Sequence, residues 1–176
     1  MALTAYLNLT AERQGVIQGS VMQTGREGRI AVLEANHEVS VLTDEVDGRP
    51  TGRRQHRPFV VVKEIDMATP ALYQALVDGE IFSGFELDFV APASTAKADG
   101  ALATRYTVRL TRAMLVGIRF VHPDVLDAAL KNFPEAEELR FVYESIEWLW
   151  HETARSASDT TEAPPGERRH RGKPEA

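Results

Sequence analysis

Alternation of apolar and polar positions runs through most of the first 150 residues of this chain. Ala5, Leu7 and Leu9 alternate with Tyr6 and Asn8, and Phe85, Leu87 and Phe89 with Glu86 and Asp88. Tyr106, Val108 and Leu110 alternate with Thr107, Arg109 and Thr111. A period of two puts one set of side chains on a buried face and the other in water, so each stretch predicts a β-strand. Val60 and Val62 sit in a β-branched run that suits another strand. Shorter strands are expected at 15–21, 29–33 and 38–41. The run 114–121 is more continuously apolar, broken by Gly117 and Arg119. Near the end of the pattern, Leu139, Phe141 and Tyr143 share one phase, and Ile146, Trp148 and Trp150 share the other. That one-residue slip predicts a bulge near Glu144 and Ser145, or a strand that changes its partner face, as happens where a sheet closes into a barrel.

The stretch 67–80, MATPALYQALVDGE, breaks the period. Thr69 suits a cap, Pro70 the first helical position and Gly79 the stop. Leu72 with Leu76, and Tyr73 with Val77, are spaced one helical turn apart. A second short helix is expected near 123–130. Residues 91–103, APASTAKADGALA, read as a small-residue loop between two strands. From Arg155 onward the chain is rich in Pro, Gly, Ser and charge with no apolar period, which predicts an ordered domain over 1–154 and a disordered basic and polar tail over 155–176.

Composition narrows the class. Hydrophobic residues make up 43% and charged residues 26% of 176 residues, enough for one core. There is no cysteine, which excludes disulfides, thiolate metal sites and cysteine nucleophiles. The opening MALTAYLNLT has no basic leader followed by an apolar segment, and no apolar run approaches bilayer length, so cytoplasmic synthesis without membrane insertion is expected. The formal net charge is −6. An acidic body disfavours nucleic-acid binding, where phosphate contacts supply most of the affinity.

Motifs for chemistry are lacking. His37-Glu38 has no second histidine at helical spacing, and Gly25-Arg26-Glu27-Gly28 is a turn rather than a phosphate cradle. His122, His151 and His170 have no partner pattern. Ser20, Ser40, Ser83 and Ser94 lack nucleophile-elbow surroundings. Glu135, Glu137 and Glu138 read as a solvated charge run. Trp148 and Trp150 share a strand face, where core or interface packing outweighs a stacking site for a base or sugar. No catalytic, cofactor or metal site is expected, and the chain does not read as an enzyme.

One feature stands out against the acidity. Arg49, Arg53, Arg54, His56 and Arg57 crowd into nine residues just before the run that begins at Phe59. Gly48, Pro50 and Gly52 suit a long excursion rather than a two-residue hairpin. This segment is open to three readings: a solvated loop, a site for an anionic ligand or nucleic acid, or a contact loop that docks on an acidic neighbour.

The order of motifs resembles a known family. AYLNLTAERQGVIQGSV, then His37-Glu38-Val39-Ser40, then GRPTGRRQHRPFVVVKEIDMATPALYQALVDGE, then Phe141-x-Tyr143 and Ile146-x-Trp148 are similar to the haemolysin-coregulated (Hcp) proteins of bacterial type VI secretion, over roughly residues 3–152. The resemblance implies a mainly β fold: a compact β-barrel of two packed sheets with one flanking α-helix. It implies hexameric rings with an open channel, stacked into a tube inside a contractile sheath and behind a spike. It implies secretion without a signal peptide, small effector proteins as channel cargo, and neither enzyme chemistry nor a cofactor. It assigns Arg49, Arg53, Arg54, His56 and Arg57 to contacts between subunits or rings, and leaves the anion-binding module as the alternative.

Overall fold

The computed structural model describes residues 3–92, 102–127, 129–130 and 132–161, with Arg53, Pro92 and Leu102 described as backbone only. The alternating stretches form strands: β1 (Thr4–Ala11), β2 (Gly15–Ile17), β3 (Ile30–Val32), β4 (Glu34–Asn36), β5 (Val39–Thr43), β6 (Pro50–His56) and β7 (Phe59–Glu64). After α1 (Thr69–Val77) come β8 (Ile81–Pro92), β9 (Leu102–Thr111), β10 (Ala113–Val121), β11 (Ala136–Val142), β12 (Ser145–Trp150) and β13 (Arg155–Thr160). Every pairing among the described residues is antiparallel.

Eleven strands make one continuous curled sheet, in the order β13-β12-β9-β8-β10-β11-β7-β4, with β1 on β8 and β2 and β3 on β1. The curl is sharpest where β8 meets β10, which pair only through Ala113 with Phe82 and Met114 with Ile81. That corner divides the sheet into the two packed layers that the family resemblance implied. Phe85 of one layer meets Phe59 and Phe141 of the other edge-on, with ring centroids 5.6 and 5.1 Å apart. Leu7, Leu9, Leu87, Val61 and Leu139 fill the space between and are fully buried. Each such side chain contributes about 1.5–3 kcal/mol on leaving water. The inward phase read from the sequence is the phase observed.

The helix flanks this core through Leu72 and Ala75, both buried, while Tyr73 and Val77 face solvent. Its start differs from the expectation. Ala68 holds the cap position, with no side-chain cap bond. The Thr69 hydroxyl is used elsewhere: it accepts from the Asp66 N–H at 3.2 Å and donates to Glu137 Oε1 at 2.9 Å. Gly79 follows the helix in a left-handed conformation, φ +59°, as its placement after the last turn required.

Three further expectations are corrected, and one is decided between its two alternatives. The described residues of 123–130 form turns, held by Asp127 N–H to Asp124 O and Leu130 N–H to Asp127 O, in place of the expected short helix. Of the two readings of the phase slip at 143–145, the change of strand partners is the one observed. The chain leaves β11, whose neighbours are β10 and β7, and enters β12, whose neighbours are β9 and β13. The loop reading of 91–103 is trimmed at its ends, where Ala91 pairs with Ala103, and its centre lies outside the described residues. Finally, the ordered chain does not stop at 154. Arg155–Thr160 pair along the whole of β12. This edge strand is exposed on both faces, so backbone hydrogen bonds hold it and no apolar period announces it. The remainder of the expected tail, 162–176, lies outside the described residues.

Candidate functional site

The basic segment is not a loop but the second strand of a hairpin arm. β5 and β6 pair only with each other, as a two-stranded sheet separate from the main one. Asp44 builds the connection: its backbone N–H donates to Arg49 O, and its carboxylate accepts from the Val46 N–H at 2.8 Å. Gly48, at φ +68°, supplies the left-handed turn residue. Apolar side chains stand in water along this arm, with Leu42 56% and Val46 95% exposed.

The arginines expected to reach outward already have partners within the protomer. Arg49 Nε lies 3.4 Å from Asp47, and Arg57 Nε lies 3.1 Å from Glu38, both at exposed positions. Arg54 makes a two-pronged pair with Asp159 of β13, Nε and the terminal nitrogen each 2.6 Å from a carboxylate oxygen. The side chain of Arg53 lies outside the described residues.

His56 is the least exposed of the group, with a side chain 4% exposed. It sits at the arm's root, in a chain of hydrogen bonds that the sequence did not suggest. Its Nε2 is 3.0 Å from Asp159 Oδ2, and its Nδ1 is 3.0 Å from the Tyr143 hydroxyl. The same hydroxyl is 2.5 Å from His37 Nε2, just before β5. A carboxylate only accepts, so neutral His56 carries its hydrogen on Nε2. Tyr143 then donates to His56 Nδ1, and His37 Nε2–H donates to Tyr143. The relay runs one way, from His37 through Tyr143 and His56 to Asp159, with every member satisfied. Phe59 stacks on His37 at 5.3 Å, and Trp148 approaches it at 6.2 Å.

Charge and burial set the titrations here. Burial lowers the His37 pKa, and nearby His56 lowers it further. Burial, with the Asp159 charge, pushes Tyr143 up to about 12. Burial alone would raise Asp159, but hydrogen bonds from Arg54 and His56 outweigh it and hold the carboxyl below its usual range.

A second polar cluster pins the helix to the barrel. Lys63 Nζ, fully buried, lies 2.6 Å from Glu137 Oε1 and 2.8 Å from Asp66 Oδ1, and donates to Glu64 O and Thr69 Oγ1. Glu137 is buried as well, which corrects its reading as part of a solvated run. The signal was available: Glu137 is in phase with inward Leu139 and Phe141, and Lys63 with Phe59 and Val61.

Among the described residues the remaining serine and histidine candidates stand apart from one another. Ser83 Oγ donates to Thr10 O, and Ser20 Oγ accepts from the Met67 N–H. His122 pairs with Glu135 at 3.3 Å in the open, and His151 lies 2.8 Å from Thr107 Oγ1. Ser94 and His170 lie outside the described residues. Among the described residues no three His, Asp or Glu side chains gather as metal ligands, and no helix is long and apolar enough to cross a membrane.

The curled antiparallel barrel with one helix and a projecting hairpin has close counterparts. The family model described as "Type VI secretion system effector, Hcp" matches residues 6–150. The chain belongs to the Hcp family. It is 32% identical to the "Major exported protein" of Pseudomonas aeruginosa, over 93% of this chain and 98% of that one. The Hcp1 structure from E. coli EAEC 042 aligns at a TM-score of 0.79 with 28% identity, covering 91% and 99% of the two chains. The secreted protein Hcp3 of Pseudomonas aeruginosa aligns at 0.67 with 27% identity, covering 89% and 98%. Hcp proteins are structural components of type VI secretion and not enzymes, in agreement with the empty search for catalytic motifs.

Proposed function

We propose that this Hcp protein closes into hexameric rings with an open channel, and that the rings stack into the inner tube of a type VI secretion system. The tube assembles in the cytoplasm within a contractile sheath and behind a spike. Contraction expels it without a signal peptide, with small effector proteins carried in the channel. The observation that carries this reading is the β5–β6 arm. It leaves the barrel without joining its main sheet and holds Val39, Val41, Leu42 and Val46 in water. Apolar side chains displayed on a built, anchored hairpin suit a contact with another copy.

The intramolecular pairs support a division of work among the basic residues. Arg54 and His56 anchor the arm's root, and Arg49, Arg53 and Arg57 are proposed to meet acidic groups of a neighbouring subunit or ring, Arg49 and Arg57 by exchanging their exposed partners Asp47 and Glu38. The two-pronged pairing of Arg54 with Asp159 disfavours the alternative of an anion or nucleic-acid module, because that cation is committed to the root.

The native mass by light scattering, with negative-stain images of the same peak, tests the proposal. Rings of six times the 19.5 kDa protomer are expected. A stable monomer at micromolar concentration overturns it. Arg49→Glu with Arg53→Glu, which leaves the Arg54–Asp159 anchor in place, should impair stacking more than ring closure, and added salt should weaken stacking. Val46→Glu at the exposed tip separates contact from anchoring, since it leaves the root intact.

A further inference from the structure

The arm's root holds two histidines on one tyrosine hydroxyl, and they cannot both be charged without breaking the relay. We propose that the His37–Tyr143–His56–Asp159 chain is an acid-sensitive latch that fixes the arm's direction relative to the barrel and frees it when both histidines are protonated.

The geometry supplies the argument. The arm shares no strand ladder with the main sheet, so side chains at its root set its angle. One added proton is tolerated. Protonated His56 donates to Tyr143, which turns its own hydrogen towards unprotonated His37. A second proton leaves His37 and His56 both donating to one oxygen, with ring centroids 6.0 Å apart, and strips Tyr143 of an acceptor. The charges facing the relay offer little relief. Among the described residues Asp159 of β13 is the anion in contact with it, and Arg54 of β6 already takes both its oxygens. Glu38 and Arg57 pair with each other at the exposed margin. Phe59 of β7 and Trp148 of β12 contribute only apolar walls.

The sign follows from the site. The docked root favours neutral His37, whereas the undocked residue takes up a proton near the ordinary histidine value of about 6.5. Docking is therefore fully favoured above that pH and weakens as pH falls through and below it. Undocking needs no unfolding of the barrel. The inference rests on the proposed assembly role only for its consequence, because an arm without a fixed direction cannot present one face to a neighbour.

The absence of cysteine permits a clean test on the full chain. Spin labels at Val46→Cys on the arm tip and Val77→Cys on the helix, diluted into excess unlabelled protein, report the arm-to-barrel distance. A narrow distribution is expected at about pH 7.5, and one roughly twofold broader at about pH 5.5. His37→Gln keeps an N–H for Tyr143 but cannot titrate, and should stay narrow at both. Tyr143→Phe should be broad at both. An unchanged wild-type distribution in acid, or broadening of His37→Gln equal to wild type, overturns the latch. So does loss of the far-ultraviolet β signal alongside the broadening, which marks global unfolding instead. Ring mass is read separately, so failure of the latch and failure of the assembly reading are distinguishable.

Discussion

Replacing Lys63 by methionine tests the reasoning about the buried cluster most sharply. Methionine fills nearly the same volume, so packing survives and the charge alone is lost. The Glu137 carboxylate is then left 1% exposed, with Thr69 as its remaining side-chain donor and Oε2 without any partner. Breaking a buried pair by removing one member costs about 3–5 kcal/mol. A domain of this kind has about 5–15 kcal/mol in all. With a urea dependence of about 2 kcal/mol per molar, the unfolding midpoint should fall by roughly 2 M. Tryptophan fluorescence from Trp148 and Trp150 reports the transition, at matched protein concentration because assembly shifts it by mass action. The double variant Lys63→Met with Glu137→Leu removes both charges and should recover most of the loss. A Lys63→Met midpoint within about 0.5 M of wild type, or a double variant no better than the single, would refute the account.

Phe85→Ala removes the ring that joins the two layers through Phe59 and Phe141, and should cost about 3–5 kcal/mol in the same assay. Gly19→Ala places a methyl 2.3 Å from the Arg29 carbonyl oxygen, a backbone collision that should cost at least about 1–3 kcal/mol by thermal melting. A chain ending at Ala154 loses β13 and bares the edge of β12. It should aggregate at concentrations where a chain ending at Thr161 stays dispersed, as light scattering will show.

The barrel strands were legible because burial on one face imposes the period of two, and the inward sets at 5–9, 85–89 and 139–143 carried it openly. The second strand of the arm and β13 were not, for one shared reason. Strands wet on both faces have no pattern to betray them, and Gly48, Pro50 and Gly52 read as loop chemistry when they stand at a hairpin turn and its second strand. Glu137 was legible in phase but misjudged in character, since a charge at an inward position is counted as solvated until its partner, here Lys63, is known. The anchor of the arm was out of reach. Arg54 and Asp159 lie 105 positions apart, and no local rule couples them. The resemblance gave the family, but it assigned Arg54 and His56 to contacts between subunits, whereas within the protomer they hold the arm's root.

That long separation orders events during synthesis. Strands β5 and β6 emerge early, yet Tyr143 and Asp159, to which their root is tied, lie near the end of the described chain. On a ribosome the hairpin can form but cannot be aimed until the last strand has cleared the exit tunnel and paired with β12. The arm's root is thus completed late: a copy that stops short of Asp159 lacks the carboxylate that Arg54 and His56 hold.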